Sequence, residues 1–501
     1  MPSWLRRLLR RAEPWSRRSR GFECFARRRP GVVLWCPTEK RLLTVPLTMY
    51  TYVHMKNAST IHDIIVIGAG LAGLTAATRL RRAGRDVVVL EAADRIGGRL
   101  LRQTVGGVTV DGGGAWVAPT QHRVRALLDE VGLTLRPTYT EGRHVVRVDG
   151  AVHTGRGTIP PLPFHALADG GLAVARLELM ARLLPLRSRQ LDTKTFGDWM
   201  RRHTRSQGAR TMLEIAVSAT TGSSVDDVSL LAIAQMIRSA GGFHQLTGVH
   251  GAAQDARIVG GSVSLCDRLA DRLGPSRIHL GAAVTAVEQS SDTVTVRVVG
   301  GRTVRASRVI TAIDPGMCAR IDFGAGLPAP RRALHDTFTM GSGIKFHLAY
   351  DTPFWRHRGF SGQAFTDDGM VGILFDATAD ACGPGVLVGF LGGFAETSNG
   401  DERPLTVTNA TRAAQIGLEV EQLFGAAPSP PIDYCEQDWR EEPHVSGCVP
   451  APAPGVLSAI GPAPVRPYGR LHWAGAEFAD AWSGYMDGAV RSGERAAAEV
   501  A

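Results

Sequence analysis

The sequence predicts an α/β fold: a dinucleotide-binding Rossmann domain assembled from discontinuous segments, with an α+β domain inserted between them. Three observations predict it. A strand–glycine turn–helix–strand unit occupies residues 63–91, a second strand, glycine turn and helix fill residues 470–501, and strand and helix patterns alternate between the two. In the first unit, the apolar run DIIVI (residues 63–67) reads as a strand buried on both faces. Gly68, Gly70 and Gly73 form G-x-G-x-x-G, where missing side chains let the backbone approach a pyrophosphate at a helix N-terminus. A helix follows over residues 71–83, then a strand over 86–90 ending in Glu91. That carboxylate is placed to accept from a ribose hydroxyl and argues against a 2′-phosphate.

Arg95, Gly97, Gly98 and Arg99 come directly after this acid. Two more glycines permit another close backbone approach, and Arg99 has the fork geometry that binds a phosphate in bidentate fashion. The alternative is a tight turn capped by surface arginines. The arrangement resembles the extended fingerprint of the glutathione-reductase-type FAD enzymes, which makes FAD the expected cofactor.

Residues 108–131 read as a strand, a glycine-rich turn holding Gly114, Ala115 and Trp116, and a helix opening near Thr120. Proline-punctuated turns and basic amphipathic helices fill 159–200, and helical patterns continue over 211–240 with Ser229 as a cap. The segment RIVGGSVSLCDRLADRL occupies 257–273, and alternating runs at 277–289 (which includes Val284) and 292–299 read as half-exposed strands. A buried strand at 306–315, a strand and aromatic turn at 343–355, further strands in 361–395 and a helix over 405–424 follow. In the last unit, Gly475 and Glu477 sit beside a cofactor face, and Gly484, Tyr485 and Met486 open a helix from about residue 484. Its positive N-terminus would favour an anionic reduced ring. The expected domains are 55–135, 259–334 and 440–501 for FAD, and 136–258 with 335–439 for substrate.

Charge excludes one class of partner. The formal net charge is +10, but residues 1–60 alone hold 11 Arg and 2 Lys against 3 Glu, while residues 61–501 carry 44 basic and 44 acidic side chains. The excess belongs to one end, so nothing supports a basic groove for nucleic acid. Residues 1–54 are expected to be an upstream false start, with Met49 or Met55 the true one, or else a disordered or targeting arm. No run approaches the roughly 18 apolar residues of a spanning helix. Seven scattered cysteines without C-x-x-C spacing argue against a metal site and for a reducing compartment, so a cytoplasmic protein is expected.

Four segments, DGGGAWVAPTQ, IVGGS, GSGIKFHLAYDTPFW and HWAGAEFADAWSGYMDGAVRSGERAA, occur in that order and resemble the flavin-containing monoamine oxidases. The resemblance covers nearly everything from residue 61 to residue 501. It implies oxidation of a primary amine to an imine by hydride transfer to flavin N5, hydrolysis to an aldehyde, and reduction of O2 to hydrogen peroxide. A neutral amine is needed, and a dry pocket lowers the amine pKa by desolvation. Lys345 matches the family lysine that reaches flavin N5 through a water; the bland alternative is a strand lysine facing solvent. Tyr485 matches one wall of the family's aromatic cage, whereas Val449 stands where the second tyrosine is normal, with Trp116 a candidate substitute. Gln254 and Leu246 match pocket-lining positions. Cys448 coincides with the cysteine that links flavin covalently when counted from Trp439, but the register slips when counted back from Gly455, so a dissociable FAD is preferred. A small amine and O2 are the expected partners, in a homodimer. Polyamine oxidase, L-amino-acid oxidase, flavin desaturase and a flavin-binding protein without turnover remain as alternatives.

Overall fold

Residues 61–380, 382–391 and 409–501 are described by the computed structural model, together with the backbone of the hairpin Val32–Cys36 and Arg41–Val45. Residues 1–57 and 58–501 form separate units. Val32–Cys36 and Arg41–Val45 pair as an antiparallel hairpin; both strands are rich in Val, Leu and Trp or Thr, residues that favour pleated backbone. The expectations for residues 1–54 otherwise lie outside the described residues.

Two sheets organise residues 58–501. In the first, Ile61–Ile67 lies between Val87–Leu90 and Thr303–Thr311, all three parallel. Ile278–His279 extends it on one side and Leu471–Trp473 pairs in parallel with Thr303–Thr311, so the sheet is drawn from widely separated segments. Val284–Gln289 and Val294–Val298 close the other side as an antiparallel pair. The helices Leu71–Arg82 and Met486–Val500 pack on this sheet and share one apolar core with it, including Ile64, Val66, Leu74, Val89, Ile310 and Val490.

The second sheet has seven strands, in the order Ala151–Gly155, Arg143–Val148, Phe360–Thr366, Val371–Asp376, Gly385–Leu391, Ile344–Tyr350 and Asp433–Asp438. It is antiparallel except where Arg143–Val148 runs parallel to Phe360–Thr366. All seven residues of Ile344–Tyr350 are buried, which excludes a solvent-facing Lys345. A helical layer, Phe164–Arg182, Phe196–His203, Gln207–Thr221 and Leu230–Ala240, has its own core around Leu177, Phe196, Leu213 and Ile233. Ser229 caps Leu230–Ala240: its Oγ accepts from Leu231 N at 3.1 Å.

Element boundaries move where local backbone demands it. The last helix begins at Met486 rather than residue 484, because Trp482 (φ 52°) and Gly484 (φ 83°) are left-handed and cannot continue a right-handed helix. The helix expected near Thr120 spans His122–Val131, and Asp487 Oδ1 accepts from Arg123 N (2.7 Å) and Val124 N (2.9 Å) at its start.

Candidate active site

One continuous cavity of about 1660 Å³ runs from the ends of the first sheet's strands to the face of the second. Single-ligand pockets are typically about 300–1,000 Å³, so this one has room for a cofactor and a substrate together.

Its first half is a floor of glycines. Gly68 has φ 102°, and a Cβ there would come within 2.8 Å of Ala312 O. A Cβ on Gly73 would collide with Gly68 O, so only glycine lets the helix Leu71–Arg82 sit this close to its strand. That helix has no side-chain cap and no acid in its first turn. Gly97 N donates to Ala69 O at 2.9 Å, folding the second glycine pair against the first, and a Cβ on Gly98 would lie 3.3 Å from Gly70 Cα. Glu91 Oε2 accepts from Ala69 N (2.6 Å) and Oε1 from Ala93 N (2.9 Å); burial raises its pKa, and the two amides partly offset that. Free amide groups at an uncapped helix N-terminus, with no side chain in the way, form an anion site.

Arg99 lines the cavity with its guanidinium held by protein partners. Its guanidinium forms an ion pair with Glu477 and donates to Cys448 O at 3.1 Å. Burial works against its charge, and Glu477 overcomes that, holding the guanidinium protonated. The other carboxylate oxygen, Glu477 Oε2, is buried without a partner. Arg95 lies behind the cavity wall, where it donates to Gly98 O (2.9 Å) and pairs with Glu442 (3.0 Å), bracing the turn. Gly73 likewise supports the floor without lining it.

Gly113, Gly114, Ala115, Trp116, Val284, Cys448, Gly475, Gly484, Tyr485 and Met486 all line the cavity. Lys345 links its two halves. Its Nζ donates to Gly113 O and, at 3.3 Å, to Asp111 O, and it lies 5.1 Å from the Trp116 ring centroid and 5.5 Å from that of Phe390. Burial pushes the ammonium down to about 8, with Asp111 opposing and Arg257 adding to the effect. Tyr485 packs edge-on against Trp482 at 5.0 Å, and burial raises its phenol pKa, so it is neutral. Val449 pairs with Gly341 beside Gly484, whose Cβ would lie 3.5 Å from Val449 Cγ1. Trp116 packs on Phe375 (5.5 Å) and Phe390 (6.3 Å), two further cavity-lining rings, with the Arg257 guanidinium 5.2 Å from its ring. Cys448 Sγ donates to Gly341 O at 3.2 Å, and burial raises the thiol pKa.

Gln254 lines the cavity and its Oε1 is buried without a partner. Leu246 does not line it. That side chain is buried in the core of the helical layer, because the short helix Phe243–Thr247 turns Phe243, His244 and Thr247 to the cavity instead. Sequence reasoning missed Ile215, Ala219, Phe365, Phe375 and Phe390, which make one part of the lining apolar, and Gln363 among them. The alternation in Phe360–Thr366, which sets Ser361, Gln363 and Phe365 on one face, was the available signal.

Residues 71–501 match the family model described as flavin containing amine oxidoreductase. The chain belongs to that family. It is 39% identical over 447 residues to AofH of Mycobacterium tuberculosis, whose name assigns it provisionally to the flavin-containing monoamine oxidases; the match covers 88% of this chain and 96% of that one. Among solved structures, a putrescine oxidase bound to putrescine has a TM-score of 0.82 at 30% identity, covering 88% of this chain and 99% of the other. Cyclohexylamine oxidase from Brevibacterium oxydans IH-35A has the same TM-score at 31% identity, with the same coverage. This family member is a flavin-dependent oxidoreductase acting on amines. The glycine floor, the uncapped helix end and the orphaned Glu477 Oε2 fit FAD.

Proposed function

We propose that this protein oxidises an apolar primary amine to an imine in the half of the cavity walled by Ile215, Phe365, Phe375 and Phe390, using FAD held without a covalent bond in the glycine-floored half. The observation that carries the reading is the continuity of the cavity, with Lys345 between its halves, bonded to Asp111 O and Gly113 O and set against the Trp116 and Phe390 rings. The division into FAD-binding and substrate domains, and the glutathione-reductase type of the first, belong to the same proposal.

Gly68, Gly70 and the amides at the start of Leu71–Arg82 would hold the pyrophosphate, Glu91 a ribose hydroxyl, and Glu477 Oε2 a donor of the cofactor. Bound FAD supplies the two-electron acceptor for the amine and returns those electrons to O2 as hydrogen peroxide. The protein's own contributions are orientation, desolvation and charge. Apolar walls disfavour an ammonium and so deliver the amine with its lone pair free. Tyr485 sets one wall for it. The Lys345 ammonium holds a positive charge at the junction of the two halves, where developing negative charge is stabilised. Dissociable FAD is preferred because the loop from Cys448 to Gly455 slips out of the register that places the linking cysteine; the Cys448 thiol donates to Gly341 O.

Glu178 favours a second reading. Its carboxylate lines the same cavity, where it could pair with the distal ammonium of a diamine. The test is peroxide release from purified protein with alkylamines, arylalkylamines and diamines of matched length. Preference for the monoamines supports the first reading. A preference for diamines that is lost in Glu178→Gln would replace it with the second.

A further inference from the structure

A three-stranded antiparallel sheet sets two arginines side by side. Ala256–Ile258 is its middle strand, with Trp116–Val117 on one flank and Leu135–Pro137 on the other. In this register Arg257 lies directly opposite Arg136 on one side and Trp116 on the other. Cross-strand partners leave the same face of a sheet, and the Arg257 guanidinium lies 5.2 Å from the Trp116 ring. Like charges directly opposite each other destabilise a sheet, and an anion between them removes that cost.

Both arginines line a second cavity, of about 240 Å³. His347 lines it with them, as do the apolar Val110, Ile258 and Val388, and it reaches solvent at the exposed Val259 and Gly260. The two guanidiniums meet carbonyl oxygens rather than carboxylates. Arg257 donates to Asp376 O at 2.5 Å and Arg136 to Ala379 O at 2.5 Å, while Arg257 Nε is buried without a partner. The neighbouring acids are engaged elsewhere: the Asp376 carboxylate accepts from Trp355 Nε1 (2.8 Å) and Arg356, and Asp111, the acid in the lining, accepts from Ser262 N (2.6 Å) and Oγ (2.9 Å). Burial pushes the Arg257 guanidinium down to about 10, with Arg136 adding to the effect and Asp111 and Asp376 opposing it, so it is charged at neutral pH. His347 is neutral there, because burial, Lys345 and Arg257 all hold its pKa well below the ordinary value.

We propose that this second cavity binds a short aliphatic monocarboxylate, its carboxylate between Arg257 and Arg136 and its tail against Val110, Ile258 and Val388. The planar guanidinium fork matches a carboxylate. Two guanidiniums against the Asp111 carboxylate leave one positive charge to balance, and a volume below the roughly 300 Å³ at which ligand pockets usually begin admits only a few carbons. The site is separate from the large cavity and touches it: Ala115 and Trp116 line both. Arg257 is also one of the charges that disfavour the Lys345 ammonium. An anion beside Arg257 offsets that repulsion and favours the ammonium. An effect on amine oxidation through Lys345 rests on the function proposed above; the binding does not.

The test is the thermal unfolding midpoint of the full chain, as purified, titrated with sodium propionate at constant ionic strength. In wild type the midpoint is expected to rise and saturate, as a ligand of the folded state requires. Arg257→Met removes the charge, keeps much of the stem's volume, and is expected to raise the half-saturating concentration at least about tenfold, the effect of losing a charge-assisted hydrogen-bond donor. Arg136→Met, at a half-buried position, is expected to raise it about tenfold as well, which preserves the test if Arg257→Met folds poorly. Saturation of both variants at the wild-type concentration would place propionate elsewhere, the large cavity included, and overturns the proposal. So does a wild-type midpoint that propionate does not move. An equal rise with sodium sulfate at the same ionic strength would make the effect one of salt and overturns it too. No amine and no turnover enter the measurement, so its failure leaves the proposed function standing.

Discussion

Replacing Lys345 with Met removes the buried charge and keeps most of the side-chain volume. The ammonium is held by Gly113 O and Asp111 O between the Trp116 and Phe390 rings. Loss of one preorganised charged donor from a water-poor site typically lowers turnover by about 10²–10³-fold, and that is the expected loss for Lys345→Met. Flavin content should not change, since Lys345 is not among the groups of the glycine floor. Stability supplies an independent readout. A shift from 10.5 to about 8 corresponds to roughly 3 kcal/mol of unfavourable burial of the charged form. The folded protein releases this proton at lower pH than the unfolded chain, so the unfolded state binds more protons between about pH 8 and 10.5. Wild type should therefore gain up to about 3 kcal/mol over Lys345→Met as pH rises through that window. Denaturant unfolding at the two ends of the window, with amine turnover at neutral pH, measures both. Turnover near wild type, or parallel stability profiles, would refute the role and the burial argument respectively.

Other outcomes follow from the same geometry. Glu477→Gln leaves the Arg99 guanidinium without its partner and should destabilise the protein by about 3–5 kcal/mol, with loss of flavin, read by unfolding and absorbance. Gly73→Ala drives a methyl group into Gly68 O and should abolish flavin retention in whatever protein remains folded, measured by gel filtration with absorbance detection. Leu246→Ala is a core truncation, expected to lower stability by about 2–5 kcal/mol while leaving the ranking of amine substrates unchanged; a changed ranking would return Leu246 to the pocket. Cys448→Ala should purify with the same FAD content as wild type, and acid should release that FAD from both; flavin that stays with the wild-type precipitate would show a covalent link.

What the sequence made legible was local. The strand, glycines, helix and Glu91 lie within about thirty residues, and the steric need for glycine at Gly68 and Gly73 is written in their spacing. Lys345 was readable because Gly343, Ile344 and Phe346 flank it and point to burial. The pairing of Arg99 with Glu477 joins residues 378 positions apart, and no periodicity carries it. Trp116 was named as one candidate for the second cage wall; its partners Phe375 and Phe390 come from strands whose facing side chains only the sheet order brings together. Leu246 failed for a related reason. A five-residue helix divides its side chains between core and cavity, and sequence spacing over so few positions does not say which face is which.

The most direct measurement is to mix the purified protein, freed of O2, with a simple arylalkylamine and follow the visible flavin absorbance. Bleaching, followed by recovery on admitting O2 with peroxide equal to the amine consumed, is the expected result. A flavin band that no amine bleaches, or a purified protein with no flavin band, would contradict amine oxidation in this cavity.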